Sequence, residues 1–253
     1  MREGPPRIFL LPSIFGDEPP LADFRAALAG RIDFELLDYP DIDRPSSEIR
    51  DFAGILDRTT ERIRALQPSG DLYIAGYSFG GLVGFVAGCR LQEEGRRVKL
   101  LTLLDSRALS LKVPRADSGN SEAAPGPWGL RADFASRLLI AAGLAEVVRA
   151  LISPAGKLFG AGAARGLRRL LLQNLRGRSL RNLSLGHFDG PLLLFRAEEQ
   201  PVSDLPSDLG WSAHCSSMRS VPIRGNHDSL FRVDHLAANA ELIGAAIEAQ
   251  IGR

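Results

Sequence analysis

A serine stands at the apex of a glycine-flanked turn, Gly-Tyr-Ser-Phe-Gly-Gly, with the serine at position 78. A serine hydroxyl attacks a carbonyl carbon when a base takes its proton and amides stabilise the oxyanion that forms. A sharp strand-to-helix turn suits this chemistry, because it holds the hydroxyl at a helix N-terminus. Gly76 and Gly80 remove the Cβ atoms that would collide in such a turn. The motif predicts acyl transfer through Ser78, and the alternative is a serine that caps the helix.

The base that this chemistry requires is sought among four histidines: His187, His214, His227 and His235. His227 lies in a Gly-Asn-His-Asp turn after the last predicted strand, where a serine-first triad places its base. His187 and His214 are interpreted as surface residues, and His235 as a first-turn residue of the last helix. We therefore predict that His227 is the base.

Three aspartates are candidates for the carboxylate that orients the base. Asp105 closes the strand after the nucleophile's helix, Asp204 lies past the next predicted strand, and Asp228 adjoins His227. Asp228 is the weakest candidate, because a side chain rarely folds back onto its neighbour's imidazole. Position along the chain alone does not decide between Asp105 and Asp204 as the orienting carboxylate.

The elements that must position these residues alternate between strands and helices. Near-continuous apolar runs predict strands at 7–11, 33–38, 72–75, 98–104, 191–197 and 218–223. Helical periodicity predicts helices at 21–28, 47–66, 82–91 and 234–251. This alternation indicates an α/β fold with a mostly parallel central sheet and helices on both faces. Ligand sites in such sheets lie at the carboxyl ends of strands, where Ile14, Ser78 and Asp105 are placed.

The alternation stops after Arg107. Residues 115–129 predict a flexible connection, and two helical stretches follow at about 130–152 and 163–175. No strand signal appears between Arg107 and Gly190. We interpret residues 107–190 as a helical lid inserted into a single domain of residues 1–253, with a plain helical subdomain as the alternative.

Length, composition and charge limit the class of protein. A chain of 253 residues with 45% hydrophobic residues suits one buried α/β core, and the net charge of +1 gives no global argument for nucleic acid. No apolar run reaches the roughly 18 residues of a membrane span. Two cysteines and the absence of a signal peptide favour a cytoplasmic protein. We expect neither a membrane nor a nucleic acid as partner.

Five motifs together resemble the thioesterase domains that end polyketide and nonribosomal peptide synthetase assembly lines, which have the α/β-hydrolase fold. They are Gly-Tyr-Ser-Phe-Gly-Gly-Leu-Val (76–83), Leu-Leu-Asp-Ser (103–106), Leu-Phe-Arg-Ala-Glu-Glu (194–199), Gly-Trp (210–211) and Gly-Asn-His-Asp-Ser-Leu-Phe (225–231). The resemblance covers nearly the whole chain apart from the insertion.

The resemblance implies roles for particular residues. In that family the acid follows the strand after the nucleophile, which selects Asp105 over Asp204. The family's oxyanion hole takes one amide from the residue after the nucleophile, here Phe79. Its second amide comes from the loop after the first strand, here Ile14 by alignment of Leu-Pro-Ser-Ile-Phe-Gly, with a shift by one position as the alternative. The resemblance implies neither a metal nor a bound cofactor.

The implied function is release of an acyl or peptidyl chain from the phosphopantetheine arm of a carrier protein. Ser78 forms an acyl-enzyme, which water hydrolyses or an internal nucleophile cyclises. The alternatives are a free-standing editing (type II) thioesterase, a general carboxylesterase and a non-catalytic hydrolase-fold binding protein. Tyr77 and Phe79 favour the chain-terminating class, because the editing class more often has Gly-His-Ser-Met-Gly.

The insertion also contains an arginine-rich stretch without acidic residues between positions 163 and 185. A solvated helix face is one interpretation of this stretch. The other is a docking surface for an acidic carrier protein or for the phosphate of its arm. The arginines concerned are Arg165, Arg168, Arg169, Arg176, Arg178 and Arg181.

Overall fold

A six-stranded sheet forms the centre of the computed structural model, which describes residues 5–108, 161–180, 183–200 and 205–252. Every pair of neighbouring strands in this sheet is parallel, as predicted. The strands are β1 (Arg7–Leu11), β2 (Asp33–Leu36), β3 (Leu72–Tyr77), β4 (Val98–Leu104), β5 (Phe188–Glu199) and β6 (Cys215–Asn226).

Six α-helices lie among the described residues. They are α1 (Pro19–Ala27), α2 (Ser46–Ile49), α3 (Phe52–Leu66), α4 (Phe79–Glu93), α5 (Ala161–Ser179) and α6 (Val233–Ile251). A short 3₁₀ turn at Ser212–His214 precedes β6. None of these described helices is long and apolar enough to cross a membrane.

The strand order β2-β1-β3-β4-β5-β6 creates a switch in the direction of the chain. The connection after β1 leads outward to β2, whereas β3 pairs on the other side of β1. The loops that follow β1 and β3 therefore diverge, and a crevice opens at the carboxyl ends of these two strands. Ile14 and Ser78 lie in these two loops.

Alternating strand residues bury the two faces of the sheet under different helices. Leu11, Ile74 and Leu101 lie next to Gly84 of α4 on one face. Their neighbours along the strands pack on the other face with apolar residues of α1 and α6. Helices therefore cover both faces, as the sequence predicts. The residues of this second cluster include Leu10, Ala75, Leu100, Phe24, Leu28, Ile243 and Ile247.

Residues 39–55 and helix α5 belong to a second compact unit. Its core contains Ile42, Ile49 and three leucines of α5 at positions 171, 172 and 175. Arg176 is only 1% exposed; its guanidinium donates to the carbonyl of Pro40 at 2.7 Å and lies 5.0 Å from the centre of the Tyr39 ring. This arginine therefore stabilises the unit internally.

A second arginine of α5 is also bound within this unit. Arg168 makes a bidentate pair with Asp41, with Nη2 and Oδ2 2.5 Å apart. Arg165 and Arg169, by contrast, are exposed on the helix surface. The proposed docking surface therefore loses Arg168 and Arg176, and Arg181 lies outside the described residues.

Element boundaries differ from the prediction at several places, and β6, predicted at 218–223, spans Cys215–Asn226. The helix predicted at 47–66 is two helices, because the chain leaves helical structure at Arg50 and Asp51 and the carbonyl of Asp51 accepts the amide of Ile55 in a new turn. Strand β5 begins at Phe188, inside the predicted insertion. The prediction started this strand too late because the sequence there is typical of a turn, Asp189-Gly190-Pro191. The pairing register with β6 shifts at the same place.

Helix α5 matches the helix predicted at 163–175. The connection predicted at 115–129, the helix predicted at 130–152 and the alternative acid Asp204 lie outside the described residues. The assignment of residues 107–190 as a lid within one domain stays a prediction.

Candidate active site

Ser78 forms the whole connection between β3 and α4. Its backbone has φ of 57° and ψ of −117°, which is costly for a residue with a Cβ atom. The serine occupies the N-cap position, yet its side chain makes no capping hydrogen bond. Its Oγ lies instead 2.9 Å from Nε2 of His227. The alternative of a simple capping serine is therefore wrong.

Close backbone contacts explain the two glycines around the serine. A Cβ atom on Gly76 would overlap the carbonyl of Gly80. A Cβ atom on Gly80 would overlap the carbonyls of Leu11 and Pro12. The predicted need for glycine is confirmed at both positions, and the second contact places the start of α4 directly against the end of β1.

Asp105 and His227 continue the hydrogen-bonded chain from Ser78. Nδ1 of His227 lies 2.7 Å from Oδ2 of Asp105. Asp105 is 5% exposed, whereas the imidazole side chain keeps 40% of its exposure. The structure thus brings together the three residues predicted for catalysis, from the ends of three different strands. Their order is that of a nucleophile, a base and an orienting carboxylate.

Three donors surround the Asp105 carboxylate. Oδ1 accepts the amide of Ala197 at 2.8 Å and the side-chain amide of Gln200 at 3.0 Å, while Oδ2 faces His227. Burial by itself would raise the pKa of Asp105, but the hydrogen bonds from His227, Ala197 and Gln200 outweigh it and lower the pKa below its ordinary value. The Asp105 carboxylate is therefore ionised at neutral pH, where it can accept the hydrogen bond from Nδ1 of His227.

The lowered pKa of Asp105 predicts how stability changes in acid. Because the folded pKa lies below the unfolded one, the ionised carboxylate stabilises the fold above about pH 4, and this contribution is lost as pH falls through the folded pKa. Urea unfolding of Asp105→Asn is expected to show a smaller loss of stability below about pH 4 than wild type. Equal pH slopes in the two proteins would contradict this.

The side chain of Asn239 in α6 forms hydrogen bonds at both ends of the turn that contains His227. It accepts the amide of Arg224 at 2.9 Å and donates to the carbonyls of Arg224 at 3.0 Å and Leu230 at 2.8 Å. Sequence reasoning missed this residue. The sequence pattern that could have identified it is a polar side chain within the apolar stripe of α6, between Leu236 and Ile243. In the structure Asn239 is only 1% exposed.

Trp211 anchors the chain immediately after Asp105. Its indole N–H donates to the carbonyl of Ser106 at 2.7 Å, and its ring packs 4.8 Å from that of Phe85. The Gly-Trp motif therefore has a structural role in holding the acid. Gln200, which contacts Asp105 directly, was also missed, because it follows β5 without any pattern of its own.

The two residues predicted for the oxyanion hole start from neighbouring strand ends. Phe79 is the first residue of α4, and Ile14 follows β1, whose Leu11 pairs with Gly76. In the β1 loop the amide of Phe15 donates to Oγ of Ser13 at 3.1 Å. The roles of Phe79 and Ile14 stay predictions.

A second cluster of serine, histidine and aspartate lies at the opposite end of the sheet. Oγ of Ser216 lies 3.0 Å from Nε2 of His187 and donates to Oδ1 of Asp189 at 3.0 Å. Here the hydroxyl, not the imidazole, occupies the middle, and Ser216 lies within β6. This cluster lacks the order needed for catalysis, and it offers matched controls for the residues at Ser78.

The remaining candidates have other surroundings. His214 is half-buried and forms T-shaped ring pairs with Phe85 and Trp211, and His235 lies in the first turn of α6. Both cysteines are free and buried; burial raises the pKa of the Cys89 thiol to about 12, so Cys89 is a poor nucleophile. Within the described part of the chain, no cluster of three or more histidine, cysteine or acidic side chains could hold a metal ion.

Comparison with protein families gives one match across the chain. A family model described as "Thioesterase domain" matches residues 6–247.

Individual proteins match shorter parts of the chain. Vanchrobactin synthetase VabF of Vibrio anguillarum is 40% identical over 52 residues, which are 21% of this chain and 2% of that protein. Malpinin synthetase of Mortierella alpina is 44% identical over 48 residues, or 19% of this chain and 1% of that protein. These alignments therefore span only a small part of the relatives' length.

Solved structures share the fold. The NocB thioesterase domain, in a covalent complex with a fluorophosphonate nocardicin G analog, has a TM-score of 0.69 and 21% identity, and the match covers 97% of this chain and 95% of that chain. The RedJ thioesterase of Streptomyces coelicolor has a TM-score of 0.65 and 18% identity over 96% of this chain and 86% of that one. The predicted α/β-hydrolase class is confirmed.

Proposed function

The chain belongs to the thioesterase domain family, whose model spans residues 6–247, and we propose that it is a serine thioesterase that releases an acyl or peptidyl chain from a carrier protein. The motif resemblance to synthetase thioesterases is thereby confirmed at the level of the family. The observation that carries the proposed mechanism is the hydrogen-bonded chain from Ser78 through His227 to Asp105.

In the first half of the proposed reaction, Oγ of Ser78 attacks the thioester carbonyl while Nε2 of His227 accepts its proton. Asp105 holds the Nδ1–H and stabilises the imidazolium. The amides of Phe79 and Ile14 stabilise the oxyanion. When the C–S bond breaks, His227 returns the proton to the leaving thiol of the phosphopantetheine arm, and the acyl group stays on Ser78.

In the second half, water or a nucleophilic group within the acyl chain attacks the acyl-enzyme, and His227 again accepts the proton. Water as the nucleophile gives a free acid, whereas a group within the acyl chain gives a ring. The C–O bond to Ser78 then breaks, and His227 returns a proton to the serine. Both halves use the same base, so one orientation of His227 serves the whole cycle.

The alternative functions differ from this proposal either in the substrate or in having no catalytic activity. A general carboxylesterase or a type II thioesterase would use the same three residues, and membership of the family favours thioesters over simple esters. A non-catalytic binding protein would have no use for the costly backbone at Ser78, which typically requires about 1–3 kcal/mol from its surroundings.

Carrier docking remains part of the proposal. Arg165 and Arg169 are one helical turn apart on α5 and exposed, which suits an acidic partner. Arg168 and Arg176 are engaged inside their own unit and are left out of this surface.

The test is intact-mass analysis after exposure to a fluorophosphonate, to soluble acyl and peptidyl thioesters, and to the same acyl groups on a carrier protein. An adduct of the acyl mass, mapped to the peptide that contains Ser78, is the expected result. The product mass separates a free acid from a ring. Turnover of simple esters without thioesters would favour a carboxylesterase, and no adduct with any reagent would favour a binding protein.

A further inference from the structure

Tyr77 connects the strand of the nucleophile to the loop of the base, and the reaction scheme above gives it no role. We propose that Tyr77 is a positioning residue that orients the imidazole of His227 towards Ser78. The inference rests on the proposed serine thioesterase function and adds to it a residue that does not itself touch the reacting atoms.

The topology explains why the base needs such a connection. Strands β4 and β5 lie between β3, which leads to Ser78, and β6, which leads to His227. Three strand spacings amount to about 14 Å. The loop after β6 must therefore fold back across two strand ends before His227 can reach the serine. A small displacement of this loop would break the alignment of base and nucleophile.

The hydroxyl of Tyr77 fixes the main chain of this loop. Its O–H donates to the carbonyl of His227 itself, at a distance of 2.5 Å. Asn239 holds the residues on either side of the turn, at Arg224 and Leu230. The Tyr77 contact adds an anchor at the centre of the turn. Because Tyr77 precedes Ser78 directly, the anchor starts from the strand that positions the nucleophile.

The ring of Tyr77 fixes the imidazole. The two rings are stacked, with centroids 5.2 Å apart and an angle of 28° between their planes. The rings of Phe231 and Tyr77 form a T-shaped pair, with centroids also 5.2 Å apart and an angle of 72° between their planes. This packing limits rotation of the imidazole. It also places an aromatic face beside the imidazolium that forms when His227 accepts the serine proton.

Tyr77→Phe tests the hydroxyl, because it keeps the ring and removes the bond to the His227 carbonyl. We expect kcat on a soluble acyl thioester to fall about fivefold to tenfold, the usual effect of one lost hydrogen bond, with KM within about twofold of wild type. Tyr73→Phe is the matched control, since Tyr73 lies on the same strand and packs against the same core. It is expected to keep wild-type kcat.

A measurement without substrate separates this inference from the proposed function. Proton NMR can detect the downfield resonance of the His227 Nδ1–H proton that is shared with Asp105. We expect this resonance to shift or broaden in Tyr77→Phe and to stay unchanged in Tyr73→Phe, even if no substrate is ever turned over. Thermal unfolding of each variant verifies that it is folded.

Two results would overturn the role of Tyr77. One is an unchanged resonance and kcat in Tyr77→Phe; the other is an equal loss in Tyr73→Phe, which would indicate a general effect on the strand. If Tyr77→Phe does not fold, Phe231→Leu replaces it, with Phe24→Leu as its control. Phe231→Leu removes the ring contact with Tyr77, but Phe231 is only 3% exposed and its ring centroid also lies 4.5 Å from that of Phe24. Phe24→Leu therefore reports the loss of that second contact while the Tyr77 contact stays, and it is expected to leave the His227 resonance unchanged. In Phe231→Leu the same change in the His227 resonance as in Tyr77→Phe is expected, and its absence would likewise overturn the role.

Discussion

Alanine at position 78 is expected to abolish acyl-enzyme formation and to lower kcat by roughly five to six orders of magnitude. The reason is that Oγ of Ser78 is the atom that forms the covalent bond, and its proton has a defined acceptor 2.9 Å away in His227. Steady-state turnover of a soluble acyl thioester gives the loss in kcat. Intact-mass analysis shows whether any acyl adduct remains.

Ser216→Ala is the matched control for this variant. Ser216 also has hydrogen bonds to a histidine and an aspartate, but it lies on a regular strand with the hydroxyl in the middle of the cluster. Its replacement is expected to leave both the adduct and kcat unchanged. An adduct that persists in Ser78→Ala, or disappears in Ser216→Ala, would refute the assignment of Ser78.

Asp105→Asn is expected to lower kcat by about 10⁴-fold while KM stays similar, as for the loss of the orienting carboxylate in other triads. The hydrogen bonds around Asp105 give the cause. Ala197 and Gln200 both donate to Oδ1, so the carbonyl oxygen of the new asparagine must occupy that position. Its NH₂ group then faces Nδ1 of His227. The imidazole responds by carrying its proton on Nε2, where it can no longer accept the proton of Ser78.

The control for Asp105→Asn is Asp189→Asn in the cluster at the other end of the sheet. Asp189 accepts a hydrogen bond from Ser216 and is exposed, so its charge does not orient His227. The kcat of Asp189→Asn is expected to equal that of wild type. The rate of fluorophosphonate labelling, measured by mass spectrometry, should follow the same order as kcat. A similar kcat in Asp105→Asn and wild type would remove Asp105 from the mechanism.

Features encoded by neighbouring residues were predictable from the sequence. The turn at Ser78 depends on glycines two residues away, and the pattern predicted both its strand and its helix. Asp105 and His227 were harder, because they approach Ser78 only when strand ends meet. Their placement at the ends of parallel strands identified them as candidates, and the family resemblance was needed to choose Asp105 over Asp204.

Supporting contacts were not predictable, because they join residues far apart along the chain. Asn239 and Trp211 bind main-chain groups, and Gln200 donates to the Asp105 carboxylate, at positions that depend on the folded sheet. The arginines of α5 show the same limit. Arg176 is buried against the Tyr39 ring and Arg169 is exposed, yet both occur in the same charged stretch of sequence.

The backbone at Ser78 has a consequence for how this chain can evolve. A positive φ is tolerated most easily by glycine, and Asp105, with φ of 44°, shares this cost. At Asp105 the hydrogen bonds from Ala197, Gln200 and His227 offset this cost, so the carboxylate contributes to stability as well as to catalysis. At Ser78 the side chain has no capping hydrogen bond, and sequence changes selected for stability alone would favour glycine there and would thereby delete the nucleophile. Selection for turnover must therefore oppose selection for stability at Ser78, and the rest of the fold must supply the stability that this position forgoes.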